Sequence, residues 1–247
     1  MIDLHAHLLP SVDDGPGTLA AAVEMCRLAA ADGCTMMVAT PHRRRDPWLD
    51  RPRAELVALL EQVRAAIDGA LELVLGAELR VDSELVRELD ATDGEELPTL
   101  GPSNALLLEL EPRGFGPDPV ELVAELRARG FCPLLAHPEL TPFLRSMPER
   151  LDEMVACGAL LQVTAMSVTG EFGRAPREVA ERLFDAGMVH VVASDAHRPD
   201  WRPPGLARAR RVIAERWGAE SAEAVTSANP RALLGGRRDA PAMRETR

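Results

Sequence analysis

Histidine and carboxylate side chains recur along this chain at spacings suited to holding metal ions. His5 and His7 close a short β-like run at the start of the sequence. Residues two apart on a strand point to the same side, so both imidazoles can face one ion. Asp195 and His197 repeat the device near the other end, and His42, Glu78, Glu109 and His137 each fall in or just after a further β-like run. Imidazole mixed with carboxylate suits zinc, iron or manganese better than the all-oxygen sphere of calcium, and a carboxylate such as Glu78 can bridge two ions. A lone strand histidine is more often a hydrogen-bonded structural residue, and His190, inside a run and without such partners, is read that way. Several placements at equivalent positions are harder to explain so.

The elements that must position these groups are short and regular. Seven β-like runs, 1–5, 35–39, 72–76, 105–110, 132–136, 160–164 and 189–193, alternate with stretches of helical spacing such as Leu19, Val23, Cys26 and Ala30. Gly33, Gly130, Gly158 and Gly187 stand just past helix ends, and Pro52 and Pro119 near helix starts. Seven β/α units in one march predict a mostly parallel sheet, and no GxGxxG follows the first run, which weakens an open dinucleotide-binding sheet and favours a closed barrel. Active sites of such barrels lie at the C-terminal strand ends, where five of the six histidines fall. The expectation is one α/β domain over residues 1–236, with a frayed Arg-rich tail over 237–247.

Composition narrows the function. A net charge of -11 argues against nucleic acid as the main partner. No apolar run approaches the roughly 18 residues needed to cross a bilayer, and no signal-peptide pattern opens the chain, so a cytoplasmic protein without membrane insertion is expected. Cys26, Cys34, Cys132 and Cys157 lack paired metal or redox spacing and are read as reduced and structural. Asp13-Asp14-Gly15 can be a helix-entry turn or can supply a ligand, being so close to His7. Arg43-Arg44-Arg45 would ordinarily be a solvated loop, but beside His42 it could attract an anion.

The motifs taken together resemble a known superfamily. MIDLHAHLLPSVDDG at the start, Thr40–His42, Gly76–Glu78, LLEL at 107–110, AHPE at 136–139 and SDAH at 194–197 are similar to the PHP (polymerase and histidinol phosphatase) superfamily. SVTGEFG at 167–173, RPP at 202–204 and NPRALLGG at 229–236 extend the likeness to the bacterial capsule-associated, metal-dependent protein-tyrosine phosphatases (CpsB/YwqE-like). The resemblance implies an irregular seven-stranded (β/α) barrel of the PHP type and three divalent ions, manganese first, with iron or zinc as alternatives. It implies that His5, His7, Glu78 and Asp195 hold the first ion, Glu78, Glu109 and His137 the second, and Asp14, His42 and His197 the third. It assigns Arg202 to the substrate phosphate. A second family arginine is replaced here by Leu140, and Arg43 and Arg44 are candidates to compensate for it.

The implied activity is hydrolysis of phosphotyrosine on a protein, a bacterial tyrosine kinase in exopolysaccharide regulation, by a metal-bridging hydroxide. The cysteine-thiolate route to the same reaction needs an arginine six residues after the cysteine. Asp32, Thr40, Pro138 and Val163 occupy those positions, which excludes it. The chain has no tyrosine and cannot be its own substrate. Two alternatives stand beside this: a PHP phosphatase acting on a small metabolite such as histidinol phosphate or a sugar phosphate, and a metal-stabilised non-catalytic module. The residues leave the oligomeric state open.

Overall fold

Short runs of two to five residues, most of them apolar and too short for helices, form parallel strands. The computed structural model describes residues 1–114 and 116–236. Its strands are β1 (Ile2–Ala6), β2 (Met36–Ala39), β3 (His42–Arg43), β4 (Glu72–Leu75), β5 (Glu78–Arg80), β6 (Ala105–Glu109), β7 (Cys132–Ala136), β8 (Leu160–Thr164) and β9 (Val191–Ala193). Every pairing between them is parallel, in two sheets ordered β1-β2-β4 and β3-β5-β6-β7-β8-β9.

All seven expected runs contain strand, but the hydrogen bonding gives two sheets and nine strands rather than one closed seven-stranded sheet. The reason is local. Runs two and three each continue past a break: β2 into β3 across Thr40-Pro41, and β4 into β5 across Gly76-Ala77. Pro41 has no N–H to give to a ladder. The interrupted strands stay in step, since Gly76 N donates to Ala39 O at 2.8 Å and Glu78 N to Pro41 O at 3.1 Å. At the far edge an isolated bridge joins Ala6 to Ala196, with His7 N donating to Ala196 O at 2.8 Å.

Helices cover the sheets where the sequence places their signals. Helix Leu19–Ala31 begins at Thr18, whose hydroxyl accepts from Ala21 N, and Gly33 follows its end at φ 93°. Pro119 opens Pro119–Ala128, with Asp118 accepting from the N–H groups of Val120 and Glu121. Among the described residues no helix is long and apolar enough to cross a membrane. The expected tail over 237–247 lies outside the described residues.

Strand alternation builds the floor of the site. On β6, Ala105 and Leu107 belong to an apolar cluster with Ile2, Leu4, Leu134 and Val191, and Glu109 is the next residue on that face. On β9 and its exit, Val191 and Ala193 precede Asp195 in the same way. Apolar side chains thus fill the interior below, and ligand-type side chains crown it at the C-terminal ends.

Candidate metal centre

Nine side chains converge at that end: His5, His7, Asp14, His42, Glu78, Glu109, His137, Asp195 and His197. They form four overlapping groups, His7/Asp14/His42/His197, His5/His137/Asp195, His5/His7/Glu78 and His42/Glu78/Glu109, with the atoms that would hold an ion within 4.8 Å of one another in each. Glu78 is central. It is buried, with Oε1 2.8 Å from His137 Nε2 and Oε2 2.9 Å from His42 Nδ1 and 3.4 Å from the Nε2 atoms of both His5 and His7. Register explains the His42 contact, because β3 pairs β5 with His42 opposite Glu78. Asp195 N donates to His5 O at 2.9 Å, which sets Asp195 Oδ1 3.4 Å from His5 Nε2.

Three of the histidines are aimed by their other nitrogen. His7 Nδ1 donates to Asp13 Oδ2 at 2.8 Å, His5 Nδ1 to Gln162 Oε1 at 2.9 Å and His197 Nδ1 to the Asp195 carbonyl at 2.9 Å. Each bond fixes the tautomer and leaves Nε2 as a lone-pair donor, the device by which proteins orient metal-binding imidazoles. Asp13 and Gln162 are functional positions that sequence reasoning missed. For Asp13 the signal was present: the Asp-Asp-Gly turn supplies one carboxylate to His7 and the next, Asp14, to His42 and His197 at 3.5 and 3.4 Å. Gly15 makes the turn possible, since a Cβ there would lie 2.5 Å from His7 O. Gln162 carried no motif. Glu139, within the AHPE segment, is an anchor instead, buried and accepting from Thr164 N at 2.9 Å and Ser167 Oγ at 2.8 Å.

His137 and Asp195 adopt left-handed backbone, at φ 34° and 53°. Non-glycine residues sit there at a cost, and such positions cluster at functional sites.

The electrostatics match a cation site. Burial disfavours a charged Glu78, yet His5 and the close imidazoles of His137 and His42 hold its carboxyl well below the usual range. Burial likewise opposes an ionised Asp14, and the neighbouring imidazoles of His197, His7 and His42 bring it down to about 2. Asp14 Oδ1, His42 Nδ1 and Glu78 Oε2 are buried without any hydrogen bond, although two of them lie 2.9 Å apart. Buried polar atoms are almost always hydrogen-bonded. Carboxylate and imidazole atoms that crowd together in this way are a donor set that fits divalent metal.

Above these groups is a pocket of about 200 Å³, whose walls include Leu110, Pro112, Leu140 and Thr141 besides Arg45 and Arg202. A larger cavity of about 550 Å³ shares only His42 with the ligand set. Arg202 lines the smaller pocket, bonded to Asp195 and 3.4 Å from His197 Nε2, with its guanidinium over Phe172. Arg43 and Arg44 do not. Both are held by Glu88, Arg43 at 2.9 Å, and neither lines the pocket; Arg45 does, bonded to Glu109. The sequence could not rank three consecutive arginines, whose directions are set by the left-handed backbone of Arg44, at φ 60°.

The cysteines are free. Cys26, Cys34 and Cys132 are buried, burial raises the Cys26 thiol to about 12, and none of the four lines the pocket. His190 sits apart, accepting from Leu161 N at Nδ1.

Parallel strands crowned by a buried histidine–carboxylate cluster define a β/α protein with a candidate metal centre. The model of the capsular polysaccharide synthesis family CpsB/CapC matches residues 1–235, and the chain belongs to that family. It is 33% identical to the tyrosine-protein phosphatase YwqE of Bacillus subtilis over 223 residues, 89% of this chain and 86% of that protein. It is 31% identical to a putative tyrosine-protein phosphatase CapC of Staphylococcus aureus, over 82% of this chain and 79% of that one. Among solved structures it matches a chain from the crystal structures of YwqE from Bacillus subtilis and CpsB from Streptococcus pneumoniae, described as unique metal-dependent tyrosine phosphatases, with a TM-score of 0.88 and 30% identity over 96% of this chain and 95% of that one.

Proposed function

We propose that this chain is a metal-dependent phosphomonoesterase that removes phosphate from tyrosine on a protein, an autophosphorylated bacterial tyrosine kinase of capsule or exopolysaccharide synthesis. The observation that carries the reading is the convergence of nine imidazole and carboxylate side chains, three of the imidazoles aimed through Nδ1, beneath a pocket walled by Arg202. Membership of the family and the names of its relatives supply the substrate class.

The ion assignments are part of the proposal: three ions, manganese first, held by His5, His7, Glu78 and Asp195, by Glu78, Glu109 and His137, and by Asp14, His42 and His197. The four groups support this division in outline, though they draw His137 toward His5 and Asp195, and Glu109 toward His42. Divalent ions held there would neutralise phosphate oxygens and supply an acidified water as the nucleophile toward phosphorus. The chain's own residues do the rest. Arg202 holds the phosphate by a planar fork. Leu110, Pro112 and Leu140 form an apolar rim that fits an aryl ring and sheds water from it. Asp13 and Gln162 keep the His7 and His5 rings in place.

The fold belongs to the same reading: one domain over 1–236, an irregular barrel of the PHP type in which runs two and three are each broken and the Ala6–Ala196 bridge supports closure. Four unpaired cysteines support a cytoplasmic location. The test is a comparison of kcat/KM for a phosphotyrosine peptide, a phosphoserine peptide, histidinol phosphate and sugar phosphates. The phosphotyrosine peptide should be preferred. Preference for a metabolite would move the assignment to the small-molecule phosphatases, the reading favoured by Leu140 in place of a cation.

A further inference from the structure

Glu109 is flanked by two guanidinium groups. Arg80, two residues beyond Glu78 on β5, approaches Oε2 at 3.1 Å and also faces Glu111 at 3.9 Å. Arg45, from the loop after β3, bonds Oε1. Only the second of these arginines lines the pocket, where Arg45 and Arg202 are the two guanidiniums of the wall. The two are placed alike: Arg202 bonds the carboxylate of Asp195 as Arg45 bonds that of Glu109. Each pocket arginine is therefore tied to a carboxylate of the candidate ligand set.

We propose that Arg45 is a second phosphate-gripping residue of this pocket, its guanidinium turning from Glu109 to the oxygens of the substrate phosphate when Glu109 engages a cation. The inference rests on the phosphoesterase reading above. A carboxylate that shares its charge with a divalent ion holds a neighbouring guanidinium less strongly, and the ion repels it. Arg80 keeps Glu111 as a partner and stays. Arg45 is on a loop with its side chain 31% exposed, and a phosphate dianion in the pocket is the anion within its reach. Its planar fork can hold two phosphate oxygens at once. The side of the pocket formed by Leu140 and Thr141 brings no cation, so Arg45 and Arg202 would carry the grip together.

A merely structural Arg45, present to neutralise Glu109, would behave differently on substitution. The experiment uses metal-reconstituted wild type, R45A and R45K, with metal content per chain, calorimetric binding of inorganic phosphate, and kcat and KM for an aryl phosphate. R45A should weaken phosphate binding roughly ten- to a hundredfold and raise KM, with metal content unchanged. R45K should recover part of the affinity, because it restores the charge but not the fork. R45A that binds phosphate like the wild type, or that loses metal in step with activity, overturns the assignment of Arg45 and leaves the phosphoesterase reading intact. A wild type that neither hydrolyses the ester nor binds phosphate overturns both.

Discussion

Asp13 accepts a 2.8 Å hydrogen bond from His7 Nδ1 and thereby decides that Nε2 is the nitrogen His7 offers to Glu78 and Asp195 in the ligand cluster. Asp13 is itself held by the backbone N–H groups of His42 and Gly15, at 2.9 and 3.0 Å, so one carboxylate fixes the entry turn, an imidazole and the start of β3. Asp13→Asn should keep the fold and lower metal affinity or activity by roughly ten- to a hundredfold, the usual cost of removing such an orienting partner. Metal titration of the variant checks this. Wild-type affinity would show that His7 needs no orienting carboxylate.

Glu78→Gln removes the charge that four imidazoles surround. The variant should lose bound metal and activity together, and its metal-free form should be destabilised by about 3–5 kcal/mol, the range for breaking a buried ionic contact from one side. Elemental analysis with thermal unfolding measures both. A full complement of ions in purified Glu78→Gln would remove Glu78 from the ligand set.

The metal-free protein should depend on pH in a direction set by His137. Burial works against its charged form, and the hydrogen bond and charge of Glu78 overcome that, raising the imidazolium to about 9. Unfolded histidine titrates near 6.5, so this contribution is fully present below about pH 6.5 and is lost as pH rises through about 9. Ions bind deprotonated imidazole, and loading should become more favourable over the same range. Unfolding midpoints at pH 6 and 9, with and without metal, should therefore fall for the metal-free form alone. A parallel fall in both would mean that His137 is not a ligand.

Much of this was legible in the sequence, and the exceptions have physical causes. The His5/His7 and Asp195/His197 pairs could be read because a two-residue period fixes side within a strand. Their convergence with His42 and Glu78 depends on strand register, which no local pattern states. β3 and β5 were invisible as separate strands, since two or three residues containing a histidine, a glutamate and arginines show no apolar alternation. Gln162 looked like an ordinary polar residue in a strand until His5 was brought against it. Arg43, Arg44 and Arg45 differ only in where one left-handed residue turns them, and that single backbone feature moved the pocket cation from the expected pair to the third arginine.

Replacing all four cysteines by serine should leave kcat within about twofold of wild type at equal metal content. The thiols of Cys26, Cys34 and Cys132 are buried, and none of the four cysteines lines the pocket. Stability should fall, by about 1–3 kcal/mol for a buried hydroxyl left without a partner. Selective loss of turnover in a folded Cys132→Ser or Cys157→Ser variant would point to thiol chemistry.

The most direct measurement is hydrolysis of an aryl phosphate by one preparation in three states: as purified, stripped of metal by chelation, and reloaded with manganese, iron or zinc, with metal content determined in each. Activity should disappear with the metal and return in proportion to the ions restored. Undiminished turnover by fully metal-free protein would contradict the account.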